Sequence, residues 1–276
     1  MARLISIHPV TPQQRLLDQV VERLKDGELI AYPTDSGYAL GCRIGAHEAL
    51  EQIRTIRHTG KDHHFTVMCS EFGQLGTYVR ISNPNYRLLR AHTPGPYTFI
   101  MPATKELPRR MLHPKKHTVG ARIPDHVVAR AIVEALGEPL MSSSLIMPGE
   151  SSVLTESWVV EDRLGHLIPA IIDGEVTGTE PTSIIDLTGD VPRVLREGAG
   201  DNIEDFGHGV GITVVGWFAR IGFLLAPPIV GWLADLFTLR YALALVPLYA
   251  VGVFIFAGAL EDMTKTDKRA KALGTA

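Results

Sequence analysis

Short apolar runs alternate with amphipathic segments along the first 206 residues, and this alternation limits the possible folds more than any other feature. The runs have the length of strands, and the segments between them repeat apolar residues at helical spacing, as Leu17, Val20 and Leu24 do. The pattern predicts a layered α/β domain around one sheet. The predicted strands are residues 29–32, 65–69, 97–101, 118–123, 140–145, 170–172, 183–187 and 194–196.

The predicted helices have recognisable ends. Thr11, followed by a proline, is typical of a helix start, and Gly27 of a helix end. A second helix is predicted over residues 46–57, and a third is predicted to be capped by Asp125 and ended by Gly137. Whether the sheet is parallel or mixed does not follow from the pattern.

Residues 207–276 differ in character from residues 1–206 and are predicted to be a separate part of the chain. Residues 241–260 are 20 consecutive residues without a charge, which is the length of a transmembrane helix. Residues 211–234 are also long and apolar. Since only a short turn separates them, we predict a two-helix transmembrane hairpin within residues 211–260. The alternative is a buried helical pair of a soluble domain.

Two features bear on the compartment. Four Lys and Arg residues follow the hairpin, which favours a cytoplasmic position for that end, and a hairpin returns the chain to its starting side. Only two cysteines occur, Cys42 and Cys69, without disulfide or metal spacing, and the N-terminus lacks a signal-peptide core. We expect a cytoplasmic body, tethered to a membrane where the hairpin is part of the working protein.

The body is acidic overall, but one segment in it is strongly basic. Residues 1–206 carry 21 Lys and Arg against 26 Asp and Glu, whereas residues 105–122 carry six against one. Clustered cations in an acidic domain predict a polyanionic partner such as ATP or RNA. The alternative is a solvated loop face. The candidate RNA-binding residues are Arg109, Arg110, Lys115 and Lys116.

Three further features are candidates for a small-molecule site. Residues 32–41 combine hydroxyls, a carboxylate and two glycines at a strand end, which suits either a ligand loop or an ordinary turn. Arg122 lies within a predicted strand, where its planar guanidinium needs a carboxylate or phosphate partner. Residues 142–144 are three serines that line a pocket or cap a loop, and no neighbouring base indicates a nucleophile.

Two classes of site are not predicted. The chain has no Walker A sequence. His58, His63 and His64 have no Cys, Asp or Glu at metal-ligand spacing, so no metal site is expected.

Five segments resemble, in the same order, the threonylcarbamoyl-AMP synthase (YrdC-like) family, and most of all its YciO-type branch. The resemblance covers residues 5–206. It implies a single α/β domain with a large twisted sheet and a concave, positively charged face. The segments are residues 32–36 (YPTDS) with Gly41, 93–98 (TPGPYT), 118–124 (TVGARIP), 182–186 (TSIID) and 195–198 (LREG).

The resemblance also implies an activity. Members of the family form threonylcarbamoyl-AMP and pyrophosphate from threonine, bicarbonate and ATP, with Mg²⁺ expected alongside the nucleotide, for the tRNA modification threonylcarbamoyladenosine. The residues implied at the threonine end of the site are Ser36, Arg122, Ser144 and Thr182. Those implied at the nucleotide end are Thr118, Arg196, Arg57 and Lys61.

Several positions depart from the family pattern. The usual Lys-x-Arg is Arg57-His58-Thr59 here, the usual Lys-Pro-Leu is His63-His64-Phe65, and a usual histidine is Met68. The usual Ser-x-Asn ends in Ile146. These changes weaken the expected ATP contacts and keep a second interpretation open, a module that binds nucleotide or RNA (tRNA or double-stranded RNA) without efficient synthesis.

Residues 211–260 resemble the last two helices of a major facilitator transporter. Two helices cannot build a transport pathway, so no transport is predicted. The tail is either a membrane tether for the body or one half of a chimera of two gene pieces, and we favour the chimera.

Overall fold

The computed structural model describes residues 2–60, 63–189 and 191–200. Three predictions concern residues outside these ranges and stay predictions. They are the role of Lys61, the domain boundary at 206–207, and the transmembrane hairpin with its resemblance to a transporter. Within the described ranges, no helix combines the length and the apolar character needed to cross a membrane.

Ten strands form one mixed sheet in the order β1–β8–β2–β3–β7–β4–β6–β5–β9–β10. The pairs β1/β8, β2/β8, β4/β6 and β5/β9 are parallel, and the others are antiparallel. The predicted α/β domain around one large sheet is confirmed. The strands are β1 (Arg3–Ser6), β2 (Ile30–Thr34), β3 (Gly37–Arg43), β4 (Thr66–Met68), β5 (Tyr97–Pro102), β6 (Thr118–Arg122), β7 (Leu140–Ser144), β8 (Ala170–Asp173), β9 (Ser183–Asp186) and β10 (Arg193–Arg196).

Helices cover both faces of the sheet. On one face, α1 and α5 pack over Ile30, Leu140 and Ile172, while the other four helices pack over the opposite face around Leu40 and Phe99. The helices are α1 (Gln14–Lys25), α2 (His47–Arg57), α3 (Phe72–Tyr78), α4 (Asn83–His92), α5 (Val127–Leu136) and α6 (Ser157–Leu164), and a 3₁₀ turn spans Arg109–Met111.

The face under α1 and α5 is apolar over only part of its width. Within the described residues, the apolar cluster beneath these helices takes no side chain from β5, β6 or β9. Because alternate side chains share a face and paired residues lie side by side, Arg122 lies on the same face as its partner Met68. Thr98 and Thr118 share that face. The polar half of this face positions the candidate site.

The start of α5 differs from the prediction. His126 caps the helix, since its Nδ1 accepts a hydrogen bond from the Ala129 N–H at 3.2 Å. Asp125 is therefore not the cap, and its N–H donates to the Asp35 carboxylate at 3.1 Å. The end at Gly137 is confirmed, with a left-handed φ of 78° that glycine adopts without strain.

The start of α1 also differs. The helix begins at Gln14 and not next to Thr11. The Thr11 N–H and hydroxyl both lie 3.1 Å from His8 Nδ1, so a local turn takes the groups that would have capped the helix.

Candidate functional site

Residues 32–41 form a tight β-hairpin between β2 and β3. The Thr34 hydroxyl donates to the Gly37 carbonyl at 2.7 Å and accepts from the Ser36 N–H at 3.1 Å. Gly37 has a φ of 85°, and a Cβ there would overlap Val153. The predicted corner after β2 is therefore a hairpin turn, which presents Asp35 and Ser36 at one end of the sheet.

Arg122 and Asp35 form an ion pair that is almost fully buried. The Arg122 Nη2 donates to one Asp35 carboxylate oxygen, and the two side chains are 4% and 8% exposed. The other oxygen accepts the Asp125 N–H. The Arg122 Nε is buried and has no hydrogen-bond partner within the described residues. The carboxylate partner that Arg122 needed thus comes from the chain itself.

Arg196 holds the segment that enters β9. Its Nε and Nη2 donate to the Thr182 carbonyl at 3.0 and 2.8 Å, and the Nη2 also lies 3.1 Å from the Thr182 hydroxyl. The Thr98 hydroxyl donates to the same Thr182 oxygen at 3.2 Å. The structure therefore brings together Thr182 and Arg196, which were assigned to opposite ends of the predicted site.

Arg57 and His63 meet at one serine. The Arg57 Nη1 donates to the Ser143 hydroxyl at 2.6 Å, and the His63 Nε2 lies 3.0 Å from the same oxygen. The Arg57 Nε donates to the Ile146 carbonyl at 3.4 Å. Arg57 is thereby fixed at the end of β7 by contacts that no sequence spacing indicated.

The three serines of β7 do not line one pocket, so that interpretation is wrong. Successive strand side chains point to opposite faces. The Ser142 hydroxyl lies 2.6 Å from the Tyr32 hydroxyl, on the face covered by α1 and α5, whereas Ser143 contacts Arg57. By alternation, the half-buried Ser144 shares the face of Ser142.

His64 connects the site to the basic segment. Its Nε2 lies 3.1 Å from the Thr118 hydroxyl, and its ring stacks on His113 with centroids 4.5 Å apart. The His113 Nδ1 accepts the N–H groups of Lys115 and Lys116 at 3.3 and 3.2 Å. The turn that carries these lysines thus contacts the buried Thr118 through His113 and His64. The four predicted RNA-binding side chains are all exposed: Arg109, Arg110, Lys115 and Lys116.

Arg196 is close enough to Arg57 and to Arg122 for its charge to interact with both, and we call these three guanidinium groups the guanidinium cluster. Burial and then the charge of Arg196 lower the pKa of Arg57 to about 10. Burial and then the charge of Arg122 lower the pKa of Arg196. Burial and then the charge of Arg57 lower the pKa of His63 to about 4, so His63 is neutral near pH 7. Mutually repelling, partly desolvated cations favour an anionic ligand.

The acidic and histidine side chains of the described residues bear on whether the site could hold a metal ion. No group of three or more His, Cys, Asp or Glu side chains that could hold a metal ion occurs in the described ranges. Asp35, the carboxylate at the cluster, is already paired with Arg122. Mg²⁺ commonly arrives with substrate phosphates and few protein ligands, so it fits here as part of a bound nucleotide.

Sequence reasoning missed four contributors to the site. Asp35 was noted only as a carboxylate in a loop, and 87 residues separate it from Arg122. His63 and His64 immediately precede β4, which lies between β7 and β6, so they reach Ser143 on one side and Thr118 on the other. Thr98 was missed because only the strand order of the sheet, which is not readable from the sequence, places β5 next to β6.

Comparison with known sequences identifies relatives of the whole body. A profile of the Sua5/YciO/YrdC family, described as telomere recombination, matches residues 22–198. The chain is 47% identical over 201 residues to the uncharacterized protein YciO of Escherichia coli K12, covering 73% of this chain and 98% of that one. It is 32% identical over 186 residues to a threonylcarbamoyl-AMP synthase of Vibrio vulnificus, covering 66% and 98%.

Solved structures show the same architecture. The crystal structure of E. coli YciO superposes with a TM-score of 0.73 at 47% identity, covering 75% of this chain and all of that one. The P. abyssi Sua5 structure complexed with L-threonine superposes with a TM-score of 0.66 at 26% identity, covering 71% of this chain and 58% of that one.

Proposed function

Because this chain belongs to the Sua5/YciO/YrdC family, we propose that it forms threonylcarbamoyl-AMP and pyrophosphate from threonine, bicarbonate and ATP. The observation that carries the proposal is the guanidinium cluster, in which the Arg122 Nε has no hydrogen-bond partner among the described residues. A synthase relative at 32% identity and a threonine-bound structural relative support it.

At the amino-acid end, Arg122 receives the threonine carboxylate through its free Nε. Ser36 and Thr182 contribute buried hydroxyls, and Ser144 lies on the same face of the sheet as Ser142. These residues bind and orient threonine. Its amino group attacks the carbon of bicarbonate, water leaves, and the resulting carbamate oxygen is free to attack the nucleotide.

At the nucleotide end, Arg57 and Arg196 bind the phosphates, and Thr118 supplies a hydroxyl from β6. The carbamate oxygen attacks the α-phosphorus of ATP, and pyrophosphate leaves with its charge neutralised by the guanidinium groups. Mg²⁺ that arrived with the nucleotide would add to this neutralisation. Lys61, which lies outside the described residues, is proposed as a further phosphate contact.

The test is pyrophosphate release by the full chain supplied with threonine, bicarbonate, ATP and Mg²⁺. We expect release that stops when threonine is omitted and that falls strongly in Arg122→Met. Equal release from the full chain and a buffer blank, at high enzyme concentration, would refute the proposal.

A second candidate function is binding of RNA or nucleotide without efficient synthesis. It is favoured by the four exposed cations on one segment and by the apolar Ile146, where the family pattern has asparagine. Tight packing of His113 against His64 and the backbone of Lys115 and Lys116 holds that segment in one shape.

Salt-dependent binding of tRNA or double-stranded RNA tests this second candidate. Replacing Lys115 and Lys116 by alanine is expected to lower the salt slope by about 2, since each phosphate contact contributes about 0.9. The control is Arg15→Ala with Lys25→Ala, two exposed cations on α1. An equal effect of both double variants would contradict it.

We propose membrane tethering through residues 211–260 only as a separate property of the tail. Extraction of membranes with alkaline carbonate tests it: the full chain stays in the pellet and residues 1–206 do not. Release of both proteins would show that the tail does not span a membrane.

A further inference from the structure

We propose that His63 is a positioning residue: through the Ser143 hydroxyl, it holds the Arg57 guanidinium in the orientation that binds phosphate. The inference rests on the proposed function, because that function gives Arg57 its role with the phosphates. It concerns a histidine that the proposed reaction does not otherwise use, at a position where the family pattern has lysine.

Two contacts at the end of β7 set the orientation of Arg57. Its Nη1 donates to the Ser143 hydroxyl at 2.6 Å, and its Nε donates to the Ile146 carbonyl at 3.4 Å. Because a guanidinium is planar, two engaged nitrogens set the directions of all its N–H donors. The Ile146 contact is longer than an ordinary N–H···O hydrogen bond, so the orientation of Arg57 depends mainly on Ser143.

His63 in turn determines the direction of the Ser143 hydroxyl. The His63 Nε2 lies 3.0 Å from the Ser143 oxygen and 3.5 Å from the Arg57 Nη1. Since arginine only donates, a proton on Nε2 would point towards another N–H group. Nε2 is therefore the acceptor. The Ser143 hydroxyl donates its proton to His63 and presents a lone pair to Arg57.

The surroundings keep His63 in the neutral form that this arrangement requires. The ring packs edge-on against the buried Phe65 ring, with centroids 5.2 Å apart. Burial and then the neighbouring positive charges lower the pKa of His63, so Nε2 keeps its lone pair near pH 7. The titratable and charged groups that face it are Arg54 and Arg57 of α2, Arg196 of β10 and the adjacent His64.

The lysine of the family pattern would act differently at this position. An ammonium group has donors but no acceptor, so it can contact a phosphate but cannot accept a hydrogen bond from Ser143. Its charge would also repel the Arg57 guanidinium. In this chain, His63 thus supports a phosphate-binding arginine instead of adding a further cation.

The experiment measures the affinities of the full chain for a non-hydrolysable ATP analogue and for L-threonine near pH 7. In His63→Leu and in Ser143→Ala, we expect the affinity for the analogue to fall about tenfold, the effect of one lost charge-assisted hydrogen bond, and the affinity for threonine to stay the same. His63→Gln, whose amide oxygen accepts from Ser143, should bind the analogue within about twofold of the unmodified chain. Circular dichroism establishes that each variant is folded.

A double-mutant cycle tests whether His63 acts through Arg57. Arg57→Met should itself bind the analogue at least about tenfold more weakly, and adding His63→Leu to it should cause no further loss. The matched control is His166→Leu, which changes an exposed histidine outside the site and should leave both affinities unchanged.

Three results would overturn the inference alone. They are a further loss in the double variant, which would mean that His63 contacts the nucleotide itself, unchanged analogue binding in folded His63→Leu, and an equal loss of threonine affinity, which would indicate a general structural role. If the unmodified chain does not bind the analogue, or Arg57→Met binds it equally well, the inference fails together with the nucleotide end of the proposed function.

Discussion

Arg196 binds the carbonyl oxygen of Thr182 with two donors, the Nε at 3.0 Å and the Nη2 at 2.8 Å. This contact fixes the segment that carries Thr182 to the edge strand β10, which lies on the far side of β9. A nucleotide-end residue thereby holds an amino-acid-end residue in place.

Arg196→Lys should consequently weaken both ligands. Lysine keeps the charge but cannot form the two-donor contact, so we expect the affinities for ATP and for threonine each to fall about tenfold. Equilibrium dialysis with each labelled ligand measures this. Arg193→Lys, an exposed position on the same strand, is the control. A loss restricted to ATP would show that Thr182 does not depend on Arg196.

Arg122→Met should destabilise the body by about 3–5 kcal/mol, because it leaves the buried Asp35 carboxylate unpaired. Adding Asp35→Asn in the same chain should recover much of that loss. Urea unfolding of the four proteins of this cycle, followed by circular dichroism, gives the coupling energy. Losses that simply add would mean that the two side chains do not form an energetic pair.

Most of the strands and the helices α1, α2 and α5 were predictable because they depend on local periodicity, and the Gly137 end of α5 was correct for the same reason. The helices α3, α4 and α6 were not predicted. The starts of α1 and α5 were predicted wrongly, since the Thr11 hydroxyl contacts His8 in a local turn and His126, not Asp125, caps α5. Strand β3 was missed because Gly37 and Gly41 resemble a loop. Gly41 is needed there because the Tyr32 ring lies where a Cβ would point, 2.7 Å away.

The sequence supplied several residues of the candidate site but not their arrangement. Family resemblance supplied Arg122, Thr182 and Arg196, and the structure shows their contacts. The pairing of Arg122 with Asp35 spans 87 residues and arises only when the hairpin turn meets the end of β6. The hydrophobic periodicity of neither segment predicts this contact.

His63 should make stability depend on pH in the acid range. Its pKa is about 4 in the folded protein, below the ordinary value of 6.5, mainly because of burial. As the pH falls, His63 is therefore protonated in the unfolded chain at a higher pH than in the folded protein. The free energy of unfolding is highest above pH 6.5 and falls as the pH drops towards 4, by about 1–3 kcal/mol.

His63→Gln isolates this effect, since glutamine keeps a polar contact to Ser143 but does not titrate. When the pH is lowered from 7 to 4.5, we expect the unmodified protein to lose more unfolding free energy than the glutamine variant does. Urea titrations at both pH values measure the shift. Parallel pH curves would mean that His63 titrates normally.

Ile146→Asn should raise ATP affinity about tenfold, because it restores the amide of the family pattern next to the backbone carbonyl that Arg57 contacts. Ile146→Val, which keeps the site apolar, is the control. Titration with a non-hydrolysable ATP analogue measures both. No gain in the asparagine variant would show that this position does not face the nucleotide.

The central claim is that this chain joins threonine, bicarbonate and ATP. The most direct measurement is mass spectrometry of the nucleotide products after incubation of the full chain with ¹³C-bicarbonate, threonine, ATP and Mg²⁺. The account predicts threonylcarbamoyl-AMP that carries one ¹³C, in amounts that match the pyrophosphate released and that vanish without threonine. ATP left intact, or AMP without the labelled product, would contradict it.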